Sequence, residues 1–434
     1  MTISLTIAIV TGVLVCASVV FLPSVKIGKA EAGTYWIVSL LGASACLIGG
    51  AVPVRYVLDE LVADTAVNPI KILALFLSMT FLSVYLDELG VFEYLADKAL
   101  KAGGGKQTTL FVTLYFTVAV LTVFTSNDIV VLTFTPFICA FCRRADISPL
   151  PYLFAEFVAA NTWSMALVIG NPTNIYLATS AGVDFGGYFV TMALPTLAGG
   201  VVSLGVLLLL FWHLLSRPLK AVPTHSVLND KVQVAVGAAH LAVCIVMLAV
   251  GSYVGIEMWT ISVVLAASLA IFAVVYGLCA KKGLSVVGKS LRRLPYELVP
   301  FVLGMFVVVL SLNYNGDTAR FAEFLSRGNA VWTVGGSAFL AANVVNNIPM
   351  SVLYSSVVGG GAFGAATSKA VFAAVAASNI GAYLTPVGAL AGIMWLGILK
   401  KEHVPVGFGT FVRYGAVVAV PTLAATLAVL CLVA

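Results

Sequence analysis

Charge is what this chain has least of. Asp, Glu, Lys and Arg make up 9% of its 434 residues, where a soluble globular domain carries about 25%, so a water-soluble fold is excluded. Histidine is nearly missing, with 4 in the chain. There is no H-E-x-x-H and no nucleophile paired with a base, so the chain is not expected to be an enzyme. The 7 cysteines are scattered, and only Cys139 and Cys142 lie close together. A lone C-x-x-C on an apolar stretch has neither the second pair of a zinc site nor a redox-motif context. No cofactor, no metal and no nucleic-acid partner is expected.

What the chain has is apolar sequence, 61% hydrophobic with a mean hydropathy of +1.07. A helix needs about 20 apolar residues to cross a ~30 Å hydrocarbon core. Such runs lie near 3–22, 34–52, 69–86, 185–215, 232–250, 257–279, 295–312 and 408–433. Three further apolar regions, 108–143, 149–180 and 331–399, are interrupted by polar residues. Lys26 and Lys29 follow the first run and no basic stretch precedes it, so it is expected to be a retained span and not a signal peptide.

The interruptions look like two copies of one pattern. The first copy reads Ser126-Asn127-Asp128, then Asn161, then Gly170-Asn171-Pro172-Thr173-Asn174. The second reads Val345-Asn346-Asn347, then Asn379, then Thr385-Pro386-Val387-Gly388. Asn127 to Asn346 is a step of 219, and Asn161 to Asn379 and Gly170 to Gly388 are steps of 218. Paired, interrupted apolar segments point to the binding site of a secondary transporter.

The basic residues give a topology. If 108–143 and 331–357 are re-entrant hairpins, then of the 23 Lys and Arg only Arg55, Lys71, Arg320, Arg327 and Lys369 fall outside, as the positive-inside rule requires. Plain spans would instead place Lys281, Lys282, Lys289, Arg292 and Arg293 outside. The same assignment brings the hairpins in from opposite faces, as an inverted repeat does. Both termini are then outside, in the cytoplasmic membrane. The segment 216–231, with Pro218 and Pro223, reads as a cytoplasmic linker.

Irregular backbone at membrane depth survives only when it is covered by protein or lines a wet cavity. Free N–H groups at a helix start suit an anion or an oxygen-rich solute, and free carbonyls suit Na⁺ or protonated water. Asn offers donors and acceptors without charge. The substrate is therefore expected to bind Asn127, Asn161, Thr173, Asn174, Asn346, Asn347, Asn379 and Thr385. The coupling ion, H⁺ or Na⁺, is assigned to Asp128, Ser126, Gly170 and Glu156. Asp128 is the one carboxylate at a tip, and an intramembrane acid is a functional candidate by default. Glu156 is expected to be wet, near the cytoplasmic end of its helix.

These segments resemble the arsenite/antimonite efflux permeases of the ion transporter superfamily. The likeness lies in Leu86-Asp87-Glu88-Leu89-Gly90-Val91-Phe92-Glu93, Asn127-Asp128 with Thr135-Pro136, Asn346-Asn347-Ile348-Pro349 and Thr385-Pro386-Val387-Gly388. The run from Gly170 to Asn174 is similar to the break of the sodium/dicarboxylate symporters. Those permeases carry aspartates at the positions of Asn161 and Asn379 and a lysine near Tyr383. The resemblance implies proton-coupled efflux of a small oxyanion or metalloid hydroxide, and a soluble ATPase subunit as partner. A sodium-coupled carboxylate symporter or a sodium/proton antiporter is the alternative. The other expected partners are the bilayer and, in a homodimer, a second copy.

The expected fold is an all-α integral membrane protein, an inverted-repeat secondary transporter with two re-entrant hairpins and two broken transmembrane helices. Residues 1–66 are N-terminal helices. Residues 67–215 form the first repeat, with hairpin 108–143 and broken helix 149–180. Residues 232–434 form the second, with hairpin 331–357 and broken helix 370–399.

Overall fold

Backbone in a hydrocarbon environment has no water to bond to, so long apolar sequence closes its hydrogen bonds inside helices. The computed structural model of the chain describes residues 2–22, 24–27, 30–65, 68–102, 105–218, 228, 230–251 and 254–433. Lys29, Lys220, Pro223 and most of the expected linker lie outside the described residues. The first run of helices is α1 (Ile3–Phe21), α2 (Thr34–Ile48), α3 (Val54–Val62), α4 (Pro69–Glu88), α5 (Val91–Ala102), α6 (Gln107–Phe124), α7 (Asn127–Ala145), α8 (Leu150–Trp163), α9 (Pro172–Ser180) and α10 (Phe185–Leu215). The second is α11 (Lys231–Gly251), α12 (Met258–Cys279), α13 (Ser285–Arg292), α14 (Leu298–Tyr314), α15 (Asp317–Ser326), α16 (Ala330–Val345), α17 (Asn347–Gly359), α18 (Thr367–Gly381), α19 (Leu390–Lys401) and α20 (Phe408–Val433). A two-stranded antiparallel ribbon, β1 (Ser24–Ile27) and β2 (Ala30–Gly33), joins α1 to α2.

Among the described residues, α4, α6, α10, α11, α12 and α20 are long and apolar enough to cross a membrane, and α14 with α15, bent by 77°, makes a seventh. Ile3–Ser18 and Thr34–Ile48, within two of the expected spans, are shorter apolar helices. The two runs repeat one order of elements, and each lends a helix to the other: α2 packs along α14, and α12 along α4. Small residues permit this. A Cβ added to Gly304 of α14 would come within 2.8 Å of the Ser39 carbonyl carbon of α2, a backbone approach typical of membrane helix pairs.

Between α6 and α7, Thr125 and Ser126 are extended, which ends one helix and starts the next. The Tyr152 hydroxyl at the start of α8 donates to Gln107 Oε1 at the start of α6, 3.0 Å away. Since α8 begins just after α7 ends, the two outer ends of α6–α7 lie together and residues 125–127 form the tip of a hairpin. The second hairpin is tied in the same manner by α15. Leu325 O accepts from Thr333 Oγ1 near the start of α16 at 2.9 Å, and Phe321 packs edge-on against Tyr354 of α17.

Helices α10 and α20 run antiparallel, because Phe211 packs on Tyr414 while Gly199 faces Thr426. The first hairpin begins at the end of α10, where Leu215 O accepts from Thr108 Oγ1 at 3.1 Å. The second begins near the end of α20, where Leu427 fills the space over Gly335. The hairpin mouths therefore sit at opposite ends of the helix stack.

Candidate functional site

Gly170 and Pro172 account for the first broken helix. Proline supplies no N–H and its fixed φ suits a helix start, so α9 begins at Pro172, with Asn171 accepting from Thr173 N at 3.2 Å as its cap. The chain between α8 and α9 folds back on itself through two 3-10 turns, Ser164–Ala166 and Val168–Gly170. It does so tightly: a Cβ on Gly170 would lie 2.2 Å from Ser164 O. Asn174 Nδ2 donates to the carbonyls of Ser164 (2.9 Å) and Leu167 (3.2 Å) within this turn, the latter also accepting from Gly170 N at 3.1 Å. The second break is built alike. A Cβ on Gly388 would lie 2.4 Å from Gly381 O, and Asn343 Oδ1 accepts from Thr385 N (3.0 Å) and Thr385 Oγ1 (2.8 Å).

The amides at the centre fall into two kinds. Asn379 is saturated: its Nδ2 donates to Asn174 Oδ1 at 2.7 Å and Val375 O at 2.8 Å, and its Oδ1 accepts from Ser164 Oγ at 2.7 Å and Asn171 Nδ2 at 3.1 Å. It staples the second half of the chain to the first break and has nothing left for a solute. Asn161 likewise donates to Phe157 O at 2.8 Å and accepts from Asn127 Nδ2 at 3.0 Å. Asn127 differs, since its Oδ1 is buried with no protein partner, as are Ser126 Oγ and Thr173 Oγ1. Other buried polar atoms also lack a protein partner, among them Thr80 Oγ1 and Ser378 Oγ, so what sets Ser126 and Asn127 apart is their place at the tip, where they retain the capacity to bond a solute. The first tip thus presents open oxygens, while the amides behind it hold the break together.

In the second half, Asn346 forms its tip with φ of 74° and ψ of 154°, a region nearly closed to side-chain-bearing residues. Its Nδ2 donates to Val387 O at 2.9 Å, which ties the tip to the second break. Asn347 is buried in the first turn of α17.

The two acids part company. Asp128, in the first turn of α7, is half-buried and lines a cavity of about 740 Å³ shared with Tyr35, Glu297, Lys400 and Lys401. Glu156, expected to be wet, is fully enclosed instead. Thr135 Oγ1 donates to it at 2.9 Å and Trp395 Nε1 at 3.4 Å, and neighbouring Phe157 packs against Trp395 and Phe411. The physical reason is that α7 and α19 close over this turn of α8, which the position of Glu156 near a helix end does not disclose. Every ion pair recorded among the described residues lies away from the tips: Lys71 with Asp64 and Glu257, Arg293 with Asp87 and Glu88, Arg143 with Glu402, and others at the periphery. No group of metal-ligating side chains occurs among the described residues.

Four polar partners escaped the sequence reading, and a fifth, Asn171, stood in the quoted motif without a site role. Ser164, Asn171 and Asn343 complete the breaks, and Tyr35 and Glu297, joined at 3.0 Å, face Asp128 across the cavity. Asn171 lies within the repeated motif and Asn343 just before it, both visible as amides. Ser164, Tyr35 and Glu297 carry no local signal.

Comparison with known proteins agrees with this architecture. Residues 29–374 match the family described as citrate transporter. The arsenical pump membrane protein of Escherichia coli (strain K12) is 29% identical over 379 residues, 83% of this chain and 85% of that protein. An uncharacterized transporter of Mycobacterium tuberculosis is 27% identical over 364 residues, 80% of this chain and 82% of that one. The crystal structure of the Alcanivorax borkumensis YdaH transporter resembles the fold with a TM-score of 0.50 at 15% identity, over 99% of this chain and 97% of that chain.

Proposed function

The chain belongs to the citrate transporter family, and from that premise we propose that this membrane transporter exports a small neutral metalloid hydroxide of the arsenite or antimonite kind in exchange for protons. The observation that carries the reading is the chemistry left open at the first tip. Asn127 Oδ1 only accepts hydrogen bonds, the hydroxyl of Ser126 next to it in the chain is also without a partner, and Asp128 follows directly. Neither Lys nor Arg bonds to this group among the described residues. An amide oxygen next to a carboxylate favours a solute whose hydroxyls donate and disfavours one that arrives as a carboxylate, while the Ser126 hydroxyl serves either. The arsenical pump proteins among the relatives agree with this substrate class.

In this mechanism the solute enters through the 740 Å³ cavity, whose rim carries Lys400 and Lys401 and which we place on the cytoplasmic side. Asp128 meets solute and proton there in turn. The two halves act as an inverted repeat, and coupling arises because solute and proton each favour one facing state.

The family description favours a second reading, a sodium-coupled carboxylate symporter. Ser126, Asn127, Gly170 and Asn174 would then surround Na⁺, and the ion would supply the positive charge that the tip lacks. Proteoliposomes separate the two. Antimonite uptake driven by an imposed proton gradient in sodium-free buffer, without competition from citrate or succinate, is expected. Uptake of citrate that needs sodium and ignores pH would overturn the hydroxide reading in favour of the second.

A further inference from the structure

Beyond the tip, α9 carries hydroxyls on one face. Thr173, Tyr176 and Ser180 are spaced i, i+3 and i+7, which aligns them along a single helical stripe. Thr173 Oγ1 at the inner end is buried and unpaired, and so is the hydroxyl of Tyr176, whose side chain is 1% exposed. Tyr176 and Ser180 line a separate cavity of about 400 Å³, closed on its other sides by Asn313 and Thr318, by Ser355 and Ser356 of α17, and by Glu60 of α3. Asn313 Nδ2 donates to Ser356 Oγ at 3.0 Å across it.

This cavity lies away from the Asp128 cavity. Helix α14 borders both, the Asp128 cavity at Leu298 and the second from Phe306 to Asn313. At 1.5 Å rise per residue the lining residues at the two ends, Leu298 and Asn313, stand roughly 22 Å apart along the helix. At the repeat step of 218 the matching positions on α19 are Ala391, Met394 and Ile398, all apolar, and Met394 lines the Asp128 cavity together with Leu390 and Ile393. The two ends of the molecule therefore offer different chemistry at matching places in the two halves.

We propose that the Thr173–Tyr176–Ser180 face of α9 is the outward leg of the transport path, and that the 400 Å³ cavity is a second binding station for a neutral polyhydroxylated solute. The lining explains the class. It is rich in hydroxyl and amide groups, contains neither Lys nor Arg, and has Glu60 as its single carboxylate, so it exchanges hydrogen bonds with hydroxyls and offers no countercharge to an anion. The identity of the solute rests on the function proposed above, while the route does not.

Two measurements keep route and solute apart. Ser180→Cys, treated with a membrane-impermeant thiol reagent, is expected to label above the unaltered protein only from the face opposite Lys400 and Lys401. No labelling, or labelling from the Lys400 face, would overturn the route whatever the substrate is. Tyr176→Phe removes a hydroxyl that has no hydrogen-bond partner in the protein, so the apparent melting temperature is expected to stay the same or rise slightly. With antimonite presented from the α9 face, the half-saturating concentration is expected to rise roughly tenfold, the worth of one hydrogen bond, and from the Lys400 face to stay unchanged. An equal shift from both faces, or none, would overturn the binding station. Antimonite that is not carried by the unaltered protein would remove the solute and leave the labelling result to decide the route.

Discussion

Replacing Asn379 and replacing Asn127 should do opposite things. Asn379→Ala deprives Asn174 Oδ1 and Asn171 Nδ2 of the partners they have in the structure, at sites that are 0% and 3% exposed. Each stranded buried group costs about 1–3 kcal/mol, so the variant should lose about 2–6 kcal/mol, a large share of the roughly 5–15 kcal/mol that holds a folded protein together. Ser164 Oγ keeps its bond to Asn161 O at 2.8 Å and adds nothing to the loss. Asn127→Ala strands one buried acceptor, Asn161 Oδ1, and removes an oxygen that was already unpaired, for a net cost of about 1–3 kcal/mol. Thermal unfolding of purified protein followed by size exclusion reads the difference. At about 2 °C per kcal/mol, Asn379→Ala should melt roughly 4–12 °C lower and Asn127→Ala roughly 2–6 °C lower, half the loss for one stranded group in place of two. Transport should fail in Asn127→Ala despite normal folding. If Asn379→Ala melts normally yet cannot transport, or Asn127→Ala unfolds, the division into stapling and solute-facing amides is refuted.

Three further outcomes follow from the same geometry. Both Asn346→Gly and Asn346→Ala lose the bond to Val387 O, but Asn346→Gly should remain folded, because glycine accepts the φ of 74° at no steric cost, whereas Asn346→Ala keeps about 1–3 kcal/mol of strain; relative yield of monodisperse protein measures this. Gly170→Ala should abolish folded protein, since its methyl would overlap a backbone oxygen, Ser164 O, at 2.2 Å, and a well-behaved variant would show that the break is looser than described. Glu156→Gln retains an acceptor for Thr135 and Trp395 and faces neither cavity, so transport should stay within about twofold of the unaltered rate, a hydrogen bond to one oxygen being conserved; loss of proton-driven flux would move the proton carrier to α8.

Much of the architecture was readable because a membrane helix makes polar residues conspicuous. Asn127, Asn161, Asn346 and Asn379 stand out against apolar neighbours, and the helices are interrupted around Gly170-Pro172 and Pro386-Gly388, with α8 ending at Trp163 and α9 starting at Pro172, α18 ending at Gly381 and α19 starting at Leu390. The sequence could not show which amides were occupied. Asn161 and Asn379 occupy matching places in the repeat, yet Asn379 reaches across to Ser164, Asn171 and Asn174 while Asn161 bonds within its own half. That asymmetry depends on how α8 meets α18, a contact between residues more than 200 positions apart. The enclosure of Glu156 depends similarly on Trp395 of α19. The pairing of Tyr35 with Glu297 opposite Asp128 joins α2 to the start of α14. Local pattern carries none of these.

The central claim is that Asp128, open to the cavity beside the unfilled oxygens of Ser126 and Asn127, links solute movement to the proton. It is tested most directly by reconstituting Asp128→Asn and measuring two fluxes of antimonite. Exchange of internal for external solute with no gradient should survive, and accumulation driven by a proton gradient should vanish. A variant that still accumulates antimonite against its gradient at the unaltered rate would contradict the account.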